Sequence, residues 1–212
     1  MRLDRDHARA LDAADPLRPW RDRFLLPQDG EDRDLVYLCG HSLGAQPRLA
    51  ADYVEEVMRD WRTLGVDGHF SARHAWTSYH ERLAPALARL VRAATSEVVA
   101  MNSLTVNLHL MLVSFSRPAG ARTALMIEKH AFPSDRYAAE SQVRYHGLDP
   151  ERDLIEIAPR EGEACLRTED VLAAIEREGP RTATIMLPGI QYLTGQVLDV
   201  AAEMSADTTV RF

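Results

Sequence analysis

The sequence predicts an α/β protein in which a mostly parallel sheet is covered by helices, preceded by an N-terminal helical segment. One pattern carries this. From residue 123 onward, short aliphatic runs at 123–127 (TALMI), 154–157 (LIEI) and 182–187 (TATIML) alternate with helix-length segments at 134–146 and 168–178. Strand and helix in strict alternation build parallel sheets, because each crossover needs a helix to return the chain to the same edge. The expected organisation is therefore an N-terminal segment over 1–95, contributing helices and loops, and a partial α/β domain over 96–212.

In chain order, 4–13 and 16–26 predict two short helices parted at Asp15-Pro16, where the aspartate caps and the proline opens a first turn. Residues 34–39 (DLVYLC) predict a brief strand, followed by the glycine-containing loop GHSLGAQP. Apolar residues at Leu49, Tyr53, Val54, Val57, Met58 and Trp61 recur at helical spacing over 48–64, and Gly65 stops that helix. The segment 65–76 predicts a polar loop. A second amphipathic helix then carries Leu83, Leu87, Leu90 and Val91 on one face, with Pro85 tolerable in its first turns. The apolar run 97–101 predicts a short strand leading into a buried helix, SLTVNLHLMLVSF, capped by Asn102 or Ser103. Gly147 stops the helix over 134–146, and Glu169 and Asp170 suit the positive N-terminus of the helix over 168–178.

Composition narrows the function. The 212 residues are 46% hydrophobic, enough for a substantial core, and the net charge of -7 argues against nucleic acid or an anionic membrane as partner. Cys39 and Cys165 have no CxxC spacing, no apolar signal core opens the chain, and no run has the length of a membrane span. The expectation is a cytoplasmic protein. The histidines lack metal-ligand spacing, so no metal is expected.

Three segments are candidates for chemistry. Gly40-His41-Ser42-Leu43-Gly44 satisfies the G-x-S-x-G elbow pattern of serine hydrolases, in which a tight strand-to-helix turn exposes a hydroxyl. The segment 102–105 (NSLT) opens a helix whose free N–H groups and positive dipole end could hold an anion; an ordinary N-cap is the other reading. The segment 131–135 (AFPSD) follows a strand, at the carboxyl end where α/β proteins bind ligands. There Phe132 could stack on a flat ring and Asp135 could bond to a polar group on it; a plain strand-to-helix turn is the alternative.

Taken together, these segments resemble one family. YLCGHSLGAQPR, GVDGHF, MNSLTVNLHLML, EKHAFPSDRYAAESQ, HGLDP, PREGE, LRTEDVL and LPGIQYLTGQ follow in the order and spacing of kynureninases, from about residue 8 to about residue 201. The resemblance implies a fold-type-I enzyme dependent on pyridoxal 5'-phosphate (PLP). Such an enzyme hydrolyses L-kynurenine, or its 3-hydroxylated form, to an anthranilate and L-alanine in tryptophan catabolism and NAD biosynthesis. It implies that Leu104 and Thr105 hold the cofactor phosphate, that Phe132 stacks on the pyridine ring, and that Pro133, Ser134 and Asp135 complete that wall. It places Ser42 and His69 beside the substrate, with Ser42 in a loop rather than acting as a nucleophile, and it implies a homodimer.

Departures from the family pattern stand at His41, where the loop usually carries asparagine, and at Pro188, where some relatives have serine. The closing residues, EMSADTTVRF, do not resemble the family. The Schiff-base lysine of the family is expected beyond the stretch that matches, and Lys129 is the single lysine here. The expectation is a fragment resembling an N-terminal half, with no catalytic residue of its own assigned and no turnover by itself. A non-catalytic remnant or interaction partner, and a serine hydrolase at Ser42, remain as alternatives.

Overall fold

The computed structural model describes residues 4–199. The chain divides into two compact units, Met1–Ala100 and Met101–Phe212.

The first unit is built of helices and turns. Helix α1 (Arg5–Ala14) starts where the Asp4 carboxylate accepts the His7 N–H at 2.9 Å. It ends at Asp15, which is extended as a residue before proline must be and accepts the Leu17 N–H. The second expected helix shrinks to a 3-10 segment, Arg18–Arg23, and its last residues instead enter strand β1 (Phe24–Leu25), antiparallel to β2 (Gln46–Pro47). The strand expected at 34–39 does not form. Only an isolated bridge, Gln28 to Asp34, touches it, and Val36 and Leu38 stay exposed. Without a neighbour to accept its ladder hydrogen bonds, an apolar run has no reason to be a strand.

Helix α2 (Ala50–Leu64) ends at Gly65 (φ 56°), a backbone conformation that glycine adopts without strain. Its apolar stripe forms as the spacing predicts, yet no residue of the helix is buried. The expected loop at 65–76 is largely helical instead. A 3-10 turn, Gly65–Asp67, leads into α3 (Gly68–Ser71), where Gly68 lies so close to the Trp76 ring that a Cβ would stand 2.4 Å from it. Helix α4 (Ala84–Val91) takes Pro85 in its first turn, but the residues it buries are Ala84 and Ala88 rather than the leucines. No strand forms at 97–101 either, where Thr95–Glu97 is a 3-10 turn.

The second unit holds the α/β core. Its elements are α5 (Leu104–Phe115), β3 (Ala124–Glu128), α6 (Pro133–Tyr145), α7 (Pro150–Asp153), β4 (Leu154–Ile157), α8 (Thr168–Glu178) and β5 (Thr182–Met186). The sheet order is β4-β3-β5, with both pairs parallel, so the predicted fold class holds. Every residue of β3 is buried, as expected of a strand covered on both faces. Its alternation sorts the core into two. Met126 packs with Ile157, Leu166, Val171, Ala174 and Ile175 on the α8 side. Leu125 and Ile127 pack with Leu112 of α5 and with Ala138, Ala139 and Val143 of α6 on the other. Helix α5 was expected to be buried; only Leu112 is, although the helix is apolar all round. No helix among the described residues is long and apolar enough to cross a membrane.

A polar clasp gathers the strands at their amino ends. Thr123, just before β3, donates to the buried carboxylate of Asp153 at 2.8 Å, just before β4. Arg152 donates to the same carboxylate from two nitrogens, at 2.7 and 3.1 Å. Arg181, just before β5, donates to the Arg152 carbonyl and accepts the Thr123 N–H on its own. The Arg152 guanidinium, helped by Thr123, holds the Asp153 carboxyl below the usual aspartate range.

Two outcomes follow for stability. Met126→Ala empties a fully buried position and should cost about 2–5 kcal/mol in urea unfolding. Asp153→Asn should cost about 1–3 kcal/mol at neutral pH. Because the folded pKa of Asp153 is depressed, its contribution is present above the ordinary aspartate range and is lost as pH falls through the lowered value. The acid limb of the urea midpoint plotted against pH should therefore flatten in the asparagine variant.

Candidate functional site

The carboxyl ends of β3 and β4 open into a cleft, the position at which parallel sheets bind ligands. Pro133 fixes the start of α6, and as a pre-proline residue Phe132 is forced into an extended conformation (φ -53°, ψ 135°). That projects its ring beside the helix start, where it is 47% exposed and meets Tyr192 edge to face at 5.0 Å. Asp135 lies in the first turn of α6, favoured by the helix dipole, and the Ser134 hydroxyl donates to it at 3.3 Å. Arg136, one residue on, is held by Glu156 at 2.9 Å and Glu140 at 3.0 Å, which ties the start of α6 to β4.

Leu104 and Thr105 open α5. Ser103 occupies the N-cap position, and its hydroxyl makes no capping bond, contrary to the expected cap. The first N–H groups of the helix thus keep their donor capacity for an external acceptor. Asn102, the other capping candidate, instead sits at φ 43° just ahead of the helix. His130, between β3 and the FPSD turn, sits at φ 67°. Non-glycine residues in this region cost free energy and mark turns held by their surroundings, and these two flank the two candidate segments. The segments share one unit: α5 and α6 pack through Leu112, Ala138, Ala139 and Val143, and the Gln142 amide donates to the Leu112 carbonyl.

An exposed helix N-terminus suits an anionic group, and a half-exposed aromatic ring at the carboxyl end of the sheet suits a flat one. Taken one by one, these two features have the chemistry that the phosphate and the ring of a ligand such as PLP would need. Lys129 lines a cavity at the carboxyl ends of β3 and β4 with Glu128, His130 and Gln191, its backbone N–H bonded to the Ile157 carbonyl at 2.7 Å.

Ser42 and His69 belong to the first unit. Ser42 is exposed in a turn in which its N–H and that of Leu43 both donate to the Cys39 carbonyl. No strand leads directly into this turn, and α2 begins only at Ala50. No nucleophile-elbow geometry forms at this turn, and nothing in the structure favours the serine-hydrolase reading. His69 is exposed, with its ring edge-on to Trp76 at 5.2 Å, and Thr77 donates to its carbonyl.

Three residues lie at the cleft that sequence reasoning did not single out. Glu128, the last residue of β3, is buried; burial pushes its carboxyl pKa up, a hydrogen bond from Gln191 opposes this, and the Asp135 charge adds to it. Gln191 is buried beside it, and Tyr192 packs on Phe132. The LPGIQYLTGQ motif contains the last two, but nothing in its spacing tells which of its side chains turns inward.

No family model matches the chain. Among curated proteins it is 53% identical over 191 residues to a kynureninase of Koribacter versatilis, covering 90% of this chain and 45% of the relative. It is 53% identical over 195 residues to one of Myxococcus xanthus (92% and 46%), and 55% identical over 199 residues to one of Xanthomonas oryzae pv. oryzae (94% and 47%). The chain spans about half the length of the curated relatives it matches.

One outcome follows from Glu128. Its folded pKa is raised, so its contribution is present below the ordinary glutamate range and is lost as pH rises through the raised value. Glu128→Gln should be neutral or stabilising above that range, read as a urea midpoint at pH 8 no lower than that of the parent chain.

Proposed function

We propose that this chain, related to the kynureninase family over nine-tenths of its length, supplies the phosphate cradle and ring-stacking wall of a PLP-dependent hydrolase of L-kynurenine or its 3-hydroxylated form. The observation that carries the reading is the turn at the carboxyl end of β3, where Phe132 stands half-exposed at the start of α6 with Asp135 in the helix's first turn. In a chain 53–55% identical to kynureninases, a flat-ring wall at the expected end of a parallel sheet fits the cofactor of that family.

The residues divide the work by their chemistry. The backbone N–H groups of Leu104 and Thr105, with the Thr105 hydroxyl, donate to the phosphate, and the dipole of α5 favours its charge. Phe132 stacks on the pyridine ring, and Pro133 fixes the turn that presents it. Ser134 and Asp135 offer hydroxyl and carboxylate to the polar rim of the ring. Ser42 and His69, in the first unit, are the residues that the kinship assigns to the substrate, and the Trp76 ring packs edge-on against the His69 imidazole. When bound, PLP supplies an electron sink for breaking the carbon–carbon bond next to a carbonyl group, and the protein supplies orientation and proton transfer. Lys129 is assigned no role in holding the cofactor: it precedes the stacking turn instead of facing it from another element. A homodimer in the cytoplasm, within tryptophan catabolism and NAD biosynthesis, completes the reading.

The test is a titration of the purified chain with PLP followed by visible absorbance, with borohydride trapping and peptide mass mapping. The expected result is saturable binding with a free-aldehyde spectrum and no adduct at Lys129, weakened about tenfold or more by Phe132→Ala. Absence of saturable binding, or binding indifferent to Phe132→Ala, would overturn the cofactor assignment. A trapped adduct on Lys129 would overturn the exclusion of that residue.

A further inference from the structure

We propose that Gln191 is a positioning residue: its side chain clamps the turn leaving β3 to the turn at 190–197, and so sets how Phe132 and Tyr192 meet. The inference rests on the cofactor reading above for its functional meaning, and on hydrogen-bond geometry for its structure.

Between the end of β3 at Glu128 and the start of α6 at Pro133, residues 129–132 turn the chain, with His130 at φ 67°. The two ends of this turn are held by the elements beside them. The Lys129 N–H donates to the Ile157 carbonyl at 2.7 Å, and the Phe132 carbonyl accepts the N–H groups of Asp135 and Arg136 at 2.9 and 3.1 Å. The middle is held from far along the chain. There the His130 carbonyl accepts a hydrogen bond from Nε2 of Gln191 at 3.1 Å.

Gln191 is 6% exposed and is bonded at both ends of its side chain. Oε1 accepts the N–H groups of Leu193 at 2.6 Å and Thr194 at 2.8 Å, and the Thr194 hydroxyl donates to it at 3.3 Å. Two backbone donors can face only the oxygen of a carboxamide, so the amide nitrogen is the atom directed at His130. If either turn withdraws, a desolvated polar group loses its partner, and that cost holds the two turns together.

The backbone of the same residue closes its own turn. Its N–H donates to the Gln196 carbonyl at 2.8 Å, and its carbonyl accepts the Gly195 N–H at 2.9 Å. The Gln196 side-chain amide pairs with both backbone groups of Leu166, which belongs to the core on the α8 side. Tyr192 is the next residue of this anchored turn, and its ring meets Phe132 edge to face at 5.0 Å. Gln191 therefore addresses both rings: its backbone leads into Tyr192, and its side chain holds the turn that presents Phe132.

The experiment is a double-mutant cycle on PLP affinity with Gln191→Met and Phe132→Ala, read beside amide hydrogen exchange and the NMR contact between the two rings. Methionine keeps the length of the side chain and removes its hydrogen bonds. Gln191→Met should speed exchange at Leu193 and Thr194 about tenfold, erase the Phe132–Tyr192 contact, and weaken PLP about fivefold or more. In the Phe132→Ala background the same substitution should weaken PLP by less than about twofold, because its effect passes through that ring. Continued protection of the Met126 and Ile127 amides shows that the sheet is intact. If Gln191→Met does not fold, Gln191→Asn, which keeps the amide but is too short to span both turns, takes its place in every arm. Losses of affinity that multiply in the double variant would show a general weakening of the fold and overturn the proposal, as would unchanged exchange with the ring contact retained. If the parent chain binds no PLP, the cofactor reading fails, while the exchange rates and the ring contact still decide the link.

Discussion

The complete burial of β3 is the constraint on which the second unit depends. A strand covered on both faces and flanked by strands on both sides has no solvent to satisfy a polar group. Its interior residues are accordingly aliphatic, and polar side chains are confined to its two ends. At the amino end, Thr123, Asp153, Arg152 and Arg181 tie three strand starts together. At the carboxyl end, Gln191 ties the turn leaving β3 to its own turn, donating to the His130 carbonyl and accepting from Leu193 and Thr194. The two clusters differ in their charge balance. The Arg152 guanidinium holds the Asp153 carboxyl below the usual aspartate range, whereas burial, helped by the Asp135 charge and opposed by Gln191, pushes the Glu128 carboxyl up. The first is suited to fixing structure. The second sits in the cleft.

Much of the second unit was legible in the sequence because its elements are short, regular and local. The runs at 154–157 and 182–187 and the helix over 168–178 form within a residue of their expected bounds, since apolar period and terminal glycine are properties of the segment itself. The two failed strands show the opposite case. DLVYLC and the run at 97–101 have the composition of strands, but a strand also needs a partner, and pairing is decided by distant residues. Helix α5 shows a third limit. Its apolar sequence predicts a buried helix, yet Leu104, Val106, Met111 and Phe115 are exposed, because apolar composition does not say whether a neighbour is there to cover them. The same holds for the exposed stripe of α2, whose periodicity reveals a face without revealing its neighbour.

The candidate site divides along the same line. Phe132, Pro133, Ser134 and Asp135 could be read as a unit because one local rule, a proline-initiated helix after a strand, places them all. Glu128 could not. A glutamate at the end of a strand reads as a solvated residue, and only the return of the chain at Gln191 encloses it. Its raised pKa therefore reflects tertiary structure, as does the pairing of Phe132 with Tyr192.

The two left-handed residues, Asn102 and His130, connect these arguments. Each stands where the chain leaves one element and prepares the next, and each precedes a segment whose donors or ring must be presented outward rather than folded in. A turn chosen only for stability would place glycine there, at little steric cost. Keeping a side chain instead costs on the order of 1 kcal/mol or more, and the surroundings must offset it. At His130 the compensation is visible in the bond from Gln191 to its carbonyl. The strain and the bond that contains it thus belong to one device, which holds the carboxyl end of β3 open at the point where Phe132 is presented.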